Sequence, residues 1–282
     1  MKSILLCVDG SEFSVTGARY ATQLAKLMDA RVNSIYVSDL QKFEISAVAD
    51  FGGSIGTQPF HEMLSTITRY ENEKAAVLEK RFSKIFADAG LSDRFQFHHK
   101  IGLLADTFDE FKKSIEGLDL IILGKAGENY ESETLYVGEK VETVIRSAEC
   151  PCLIAPKKYT KIKKILLAFD GSEGAIKALH FLERNPIFKN CEVHLFSIQP
   201  DKEVRATLAE AEKLLSAIPE LKVTVVQKKS ADTVSAIKKY SDEHHIDLLM
   251  MGSFSHSAIR QFLLGSTTLD IVEMATTAMA IF

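Results

Sequence analysis

The chain has 282 residues, of which 46% are hydrophobic and 26% are charged, and its net charge is −4. This composition is typical of a globular protein with a sizeable core, and it argues against a nucleic-acid-binding protein. No apolar run approaches the ~20 residues that cross a bilayer, and the run ILLCV meets Asp9 too early for a signal peptide. We therefore expect a cytoplasmic protein with reduced cysteines, namely Cys7, Cys150, Cys152 and Cys191.

Strands and helices are predicted to alternate along the first half of the chain. Apolar runs rich in branched residues indicate buried strands at KSILLCV, RVNSIYVS, DLIILG and PCLIAP, and RFQFHHK is a further strand. Helices are predicted between them over TGARYATQLAKLMDA, residues 63–89, DTFDEFKKSIEG and GEKVETVIRSAE, and Ser11 can cap the first helix. This alternation predicts a parallel, doubly wound sheet with helices on both faces.

The second half of the chain repeats the first half in the same order. ILLCVDGSE at 4–12 returns as ILLAFDGSE at 165–173, and DLIILGKAG at 119–127 returns as DLLMMGSFS at 247–255. The predicted strands are KILLAFD, CEVHLFSI, LKVTVVQ, DLLMMG and AMAIF, and the predicted helices begin at 173, span 202–217 and 232–244, and begin at 266. Because the matches keep their order, a whole domain has been duplicated.

The repeat divides the chain into two predicted domains, residues 1–156 and 163–282, joined by the polar linker PKKYTKIK at 156–163. Each is expected to be an α/β domain with a five-stranded parallel sheet flanked by helices. The first domain carries an insertion at about 40–62, a length that indicates a functional lid or a mobile loop. Its glycines are not a dinucleotide fingerprint, because GGSIG lacks the strand-to-helix setting.

Loops that follow buried strands and open helices mark a candidate site in the second domain. Ligands of doubly wound sheets bind at the carboxyl ends of the strands, where Asp170 and Gly252 are predicted to lie. The sequence GSTT at 265–268 starts the last helix, so that free N–H groups, the helix dipole and hydroxyl donors favour a phosphate. Asp170 is suited to a ribose hydroxyl, a base amine or a Mg²⁺ ion.

These residues resemble the universal stress protein family, in its tandem two-domain form, over nearly the whole chain. Nucleotide-binding members carry Gly, two residues, Gly, nine residues, Gly and then Ser or Thr; here the pattern starts at Gly252, with Ser255 in place of the second Gly. The resemblance implies an adenine nucleotide alpha hydrolase-like fold. It also implies that the second domain binds ATP or an AMP-type adenine nucleotide, with Mg²⁺ held between the nucleotide and Asp170. The implied binding residues are Asp170, Gly171, Ile198 at the base, Met251, Gly252, Ser255, Gly265, Thr267, and Ser266 and Thr268 at the phosphates.

The first domain departs further from this motif. The spacing to its last glycine is one residue longer, and Glu139 stands where a Ser or Thr is expected. A carboxylate there repels phosphate, by about 1 kcal/mol even at 4 Å in water. We expect a weak or altered nucleotide site, or a domain that serves only as a structural partner. The weaker site comprises Asp9, Val37, Gly124, Gly127 and Gly138.

Three functions remain open. The first is a stress-response protein that binds an adenine nucleotide as a sensor or regulator with little or no hydrolysis, because no Walker motif and no general base is evident. The second is a slow Mg²⁺-dependent ATPase that uses Asp170. The third is an interaction protein whose tandem domains form a pseudo-dimer through PCLIA and AMAIF, with a cleft for a small or lipid-like ligand under the 40–62 insertion. A homodimer is compatible with each.

Overall fold

Ten strands form one continuous sheet in the computed structural model, which describes residues 2–39, 57–127, 139–252 and 266–282. The first half contributes β1 (Ser3–Cys7), β2 (Arg31–Ser38), β3 (Phe95–Ile101), β4 (Leu118–Gly124) and β5 (Cys152–Ala155). The second half contributes β6 (Lys164–Ala168), β7 (Glu192–Ile198), β8 (Lys222–Lys228), β9 (Leu248–Met251) and β10 (Ala278–Ile281). Their order across the sheet is β3-β2-β1-β4-β5-β10-β9-β6-β7-β8, so the order within each half is the same.

The helices follow the strands as the sequence predicts, and the largest differences are at the starts of the first two helices. The first half contains α1 (Glu12–Met28), α2 (Thr57–Asp88), α3 (Leu104–Ser114) and α4 (Glu139–Ser147). The second half contains α5 (Glu173–Arg184), α6 (Lys202–Ser216), α7 (Thr233–His244) and α8 (Ser266–Met274). Short 3₁₀ turns lie at Ser92–Arg94 and Pro186–Phe188.

Both differences have a local cause. Helix α1 begins directly after its cap, because the Ser11 hydroxyl accepts a hydrogen bond from the N–H of Ser14. Helix α2 begins at Thr57 and not at 63, so the last residues of the predicted insertion are helical. Pro59 lies in the first turn, where a proline costs no intrahelical hydrogen bond. The rest of the insertion, residues 40–56, lies outside the described residues.

The two halves are joined edge to edge by their last strands. Strand β10 pairs with β5 in antiparallel register, with Met279 opposite Ile154 and Ala280 opposite Leu153, whereas the other strand pairs of the described sheet are parallel. The predicted pairing of PCLIA with AMAIF is therefore confirmed. Each half covers the edge strand that the other half would otherwise expose.

Helices cover both faces of the sheet, and each apolar core runs through both halves. One core packs α1, α2, α5 and α6 against the strands, and the other packs α3, α4, α7 and α8 against the opposite face. The linker packs against α1, because Thr16 and Tyr20 donate hydrogen bonds to the carbonyls of Lys157 and Thr160, at 2.9 and 3.0 Å. No helix in the described ranges has the length and apolarity that a membrane span requires.

The end of β4 approaches α1 so closely that we expect Gly124→Ala to destabilise the protein. A Cβ at 124 would lie 2.7 Å from the Cβ of Phe13 and 3.1 Å from its backbone carbon, so the helix would have to shift. Overpacking of this kind costs about 1–3 kcal/mol, measurable by urea unfolding. Gly17→Ala is the matched control: its Cβ meets nothing closer than 3.4 Å, and it should stabilise α1 by about 0.5–1 kcal/mol. Equal effects of the two substitutions would contradict this packing.

Candidate functional site

The turn after β6 fixes the position of Asp170 at the carboxyl edge of the sheet. One carboxylate oxygen, Oδ1, accepts a hydrogen bond from the N–H of Ser172 at 2.9 Å, and the Ser172 hydroxyl caps α5. Gly171 has φ of +76°, a conformation that favours glycine. Within the described part of the chain, no group donates to the second oxygen, Oδ2, and the side chain is exposed. Asp170 thus offers one free carboxylate oxygen to a ligand.

A cavity of about 230 Å³ opens beside this turn, between the ends of β6, β7 and β9 and the starts of α7 and α8. The structure brings six of the predicted residues to its wall, namely Asp170, Ile198, Met251, Gly252, Thr267 and Thr268. Gly171 lies in the adjoining turn, and residue 266 is the first of α8. Ser255 and Gly265 lie outside the described residues.

The wall of this cavity, called the second cavity because it lies in the second domain, combines apolar surface with hydroxyl and N–H donors. Phe196, Ile198 and Met251 supply apolar side chains, and Thr267 and Thr268 lie in the first turn of α8. The first N–H groups of a helix have no intrahelical acceptor, and they carry the positive end of the helix dipole. The arrangement is therefore suited to a flat apolar group at one end and an anion at the other.

Gly252 has a packing role that does not depend on a ligand. A Cβ at this position would lie 3.0 Å from the Cα of Gly174 and 3.1 Å from the N of Ala175, at the start of α5. Gly252 thus allows β9 to pass close to α5, as Gly124 allows β4 to pass close to α1. A glycine here is needed by the fold, so that the Thr residues and Asp170 are the more informative part of the motif.

The first domain contains a matching cavity of about 270 Å³, and four residues of the predicted weaker site line it: Asp9, Val37, Gly124 and Gly127. Gly138 lies outside the described residues. This first cavity differs from the second cavity in its hydroxyl groups. Leu104 and Val141 take the places that Thr233 and Thr268 hold in the second domain. The described wall of the first cavity is consequently more apolar.

A hydrogen-bonded cluster lies at the end of β2, beside the cavity of the first domain. Tyr36 and Ser38 donate to the same carboxylate oxygen of Glu71, at 2.6 and 2.7 Å, and Ser38 lies 2.9 Å from Nε2 of His99. Since the one Ser38 proton goes to Glu71, the His99 nitrogen donates to Ser38. Burial raises the pKa of Glu71, but the bonds from Tyr36 and Ser38 outweigh it and lower the pKa below its usual value. The cluster ties the Tyr36 side chain to α2, on the face of the sheet opposite Ile35 and most of the other side chains of the cavity.

Lys125 connects the loop of the first cavity with the second domain. Its Nζ donates to the carbonyls of Glu273 and Ala275, at 2.6 and 2.7 Å, and so caps the end of α8. Burial lowers the pKa of Lys125. A cation at this end of a helix is favourable because of the helix dipole.

Sequence reasoning missed well over half of the described residues that line the two cavities. The third strand-to-helix connection of each domain brings Thr233 or Leu104 to the wall, by the rule that had already located Asp170. Further residues come from strand interiors and helix faces, and only the packed structure reveals them. In the second cavity the missed residues are Ala168, Phe169, Phe196, Thr233, Ile237 and Ile271. In the first they are Cys7, Val8, Ile35, Tyr36, Leu104, Phe108, Leu123, Ala126, Val141 and Val144.

Comparison with known proteins identifies the family to which this two-domain chain is similar. The model of the universal stress protein family matches residues 1–156 and 161–282. Universal stress protein Slr1230 of a Synechocystis strain is 32% identical over 283 residues, covering 96% of both chains. A crystal structure of a universal stress protein from Archaeoglobus fulgidus has the same fold, with a TM-score of 0.72 and 19% identity over 99% of this chain and 97% of that one. The chain belongs to the universal stress protein family.

Proposed function

We propose that this protein is a stress-response nucleotide sensor whose second domain binds ATP or another adenine nucleotide. The observation that carries the proposal is the convergence of Asp170, Ile198 and the first turn of α8 around one cavity. These groups come from the loop after β6, the end of β7 and the start of α8. Their joint position at the carboxyl edge of a parallel sheet is the usual place for a nucleotide.

Each part of a nucleotide has a suitable group in this cavity. The base would pack against Phe196, Ile198 and Met251, and a ribose hydroxyl would donate to the free oxygen of Asp170. The phosphates would accept from Thr267, Thr268 and the N–H groups of the first turn of α8. A Mg²⁺ ion fits the same donor set, because it favours one or two carboxylates together with phosphate oxygens.

The described wall of the cavity provides few side chains that could act as an acid or a base in hydrolysis. Among the described residues of its wall, Asp170 is the sole titratable side chain. A sensor would bind the nucleotide and pass its presence on to a partner, with little or no turnover. The slow ATPase remains the alternative, with Asp170 as ligand of Mg²⁺ and orienter of a water molecule.

The first experiment is to denature freshly purified protein and identify released small molecules by mass spectrometry. We expect about one adenine nucleotide per chain, because one cavity has the phosphate donors. Protein purified without ligand should show a rise in melting temperature with ATP and Mg²⁺. No release and no rise at millimolar ATP would refute nucleotide binding and favour the interaction protein. Phosphate release that depends on Mg²⁺ and disappears in Asp170→Ala would establish the ATPase.

A further inference from the structure

We propose that the cavity of the first domain binds an uncharged ligand, a mainly apolar molecule that carries a hydroxyl or amino group. The proposal goes beyond the proposed function, because it concerns the other domain and a different class of ligand. It rests on the chemistry of the described cavity wall and on the free oxygen of one carboxylate.

The wall excludes a phosphate by what it lacks and by the charge it carries. Val141 takes the place of Thr268 and Leu104 the place of Thr233, so two hydroxyl groups are replaced by aliphatic side chains. Asp9 is the one charged side chain among the described residues of the wall. An anionic ligand would meet this negative charge, and no cationic side chain is among the described residues of the wall.

Asp9 selects a ligand that donates a hydrogen bond. Its Oδ1 already accepts from the N–H and the hydroxyl of Ser11, at 3.0 and 2.7 Å. No donor in the described part of the chain reaches its Oδ2, which lies beside Gly127, where a Cβ would come within 3.2 Å. Asp9 is half-buried, whereas Asp170 is exposed, so a partner for this oxygen matters more here. A ligand hydroxyl or amino group would supply it.

The remaining wall is apolar and held in place by the core. Phe108 and Leu123 are buried, Val144 is 3% exposed, and all three belong to the core on this face of the sheet. Burial, with a smaller effect of Asp9, raises the pKa of the Cys7 thiol to about 12, so this group is neutral near pH 7. The volume of about 270 Å³ lies just below the range of ~300–1,000 Å³ for drug-sized ligands. A molecule of two or three fused rings is therefore the expected size.

The test uses 1-aminoanthracene, an uncharged arylamine whose emission rises in apolar sites, with the full chain. We expect one probe per chain, no displacement by millimolar ATP with Mg²⁺, and at least tenfold weaker binding in Val144→Phe, which fills the cavity. The matched control is Ile271→Phe, at the equivalent position of the second domain, which should leave probe affinity within twofold. The anionic probe 8-anilinonaphthalene-1-sulfonate should bind at least tenfold more weakly.

A second pair of variants tests the cavity should Val144→Phe fail to fold. Leu104 is half-buried, so that Leu104→Trp fills the mouth with less strain in the core, and Thr233→Trp is its partner in the second domain. The chain has no tryptophan, so each new indole is an unambiguous reporter. Leu104→Trp should weaken probe binding at least fivefold, whereas Thr233→Trp should not weaken it.

Competition then identifies the source of the ligand. Displacement by adenosine supports a nucleoside, and displacement by 1-naphthol but not adenosine supports an aromatic alcohol; both agree with the proposal. The proposal is overturned if the probe does not bind, if ATP displaces it, or if Ile271→Phe and Thr233→Trp are the variants that weaken it. Nucleotide binding by the second domain is measured separately and does not depend on these outcomes.

Discussion

Thr267→Glu is expected to weaken ATP binding by the second domain at least about 100-fold without lowering the melting temperature. Thr267 lines the second cavity from the first turn of α8. A carboxylate there would lie within several Å of the phosphates, and at 4 Å, with an effective dielectric of about 20, the repulsion is about 4 kcal/mol. Because 1.4 kcal/mol corresponds to a factor of ten in affinity, a 100-fold loss requires about 2.8 kcal/mol. The expected loss is therefore set below the full repulsion, to allow for screening by solvent and salt.

The same carboxylate is favourable for the folded protein. A negative charge in the first turn interacts well with the helix dipole, so α8 should remain intact. Isothermal titration with ATP and Mg²⁺ measures the affinity, and Thr267→Gln is the control, with similar size and no charge. The Thr267→Gln substitution should weaken ATP binding less than tenfold. Equal losses of ATP affinity in Thr267→Glu and Thr267→Gln would mean that side-chain shape rather than charge determines binding. Unchanged affinity in Thr267→Glu would mean that the phosphates do not bind at this end of α8.

Met279→Asp is expected to destabilise both halves of the protein together, by at least about 3 kcal/mol. Met279 is 1% exposed and lies opposite Ile154 at the junction of the two halves. An aspartate there would bury a charge without a partner. Because both apolar cores continue across the junction, we expect one cooperative urea transition at a lower midpoint.

The control at this position is Met279→Leu, which keeps the volume and should cost less than about 1.5 kcal/mol. Far-ultraviolet circular dichroism and tyrosine emission follow the unfolding, with tyrosines present in both halves, for example Tyr36 and Tyr240. A variant that loses half of its signal and keeps a second transition at the wild-type midpoint would show that the halves fold independently.

The sequence predicts the fold because the strands are short apolar runs with clear turns after them. KSILLCV and KILLAFD were both recognisable, since strands buried on both faces have no polar interruption. The start of α2 was predicted six residues late, because Pro59 resembles a loop residue unless its place in the first turn is known. Helix starts depend on single capping contacts, which are weaker signals than periodicity.

The site was predictable in part, for a related reason. Asp170 and Thr268 follow strand ends and helix starts that sequence can locate. Phe196 and Ile237 belong to a strand and a helix face, and nothing local distinguishes a side chain at a cavity from one in the core. The importance of Leu104 and Val141 appears once the two cavities are compared position by position.

The strand order of the sheet reads the same from either edge, as in a two-fold symmetric dimer of single domains. In such a dimer one gene encodes both subunits, and every substitution appears twice. Fusion of the halves into one chain removes that constraint, so each copy can change alone. Lys125 shows the result: it caps α8 from the first half, whereas the equivalent position in the second half is Ser253. Duplication has thus allowed the walls of the two cavities to diverge, with Thr233 and Thr268 in one copy and Leu104 and Val141 in the other.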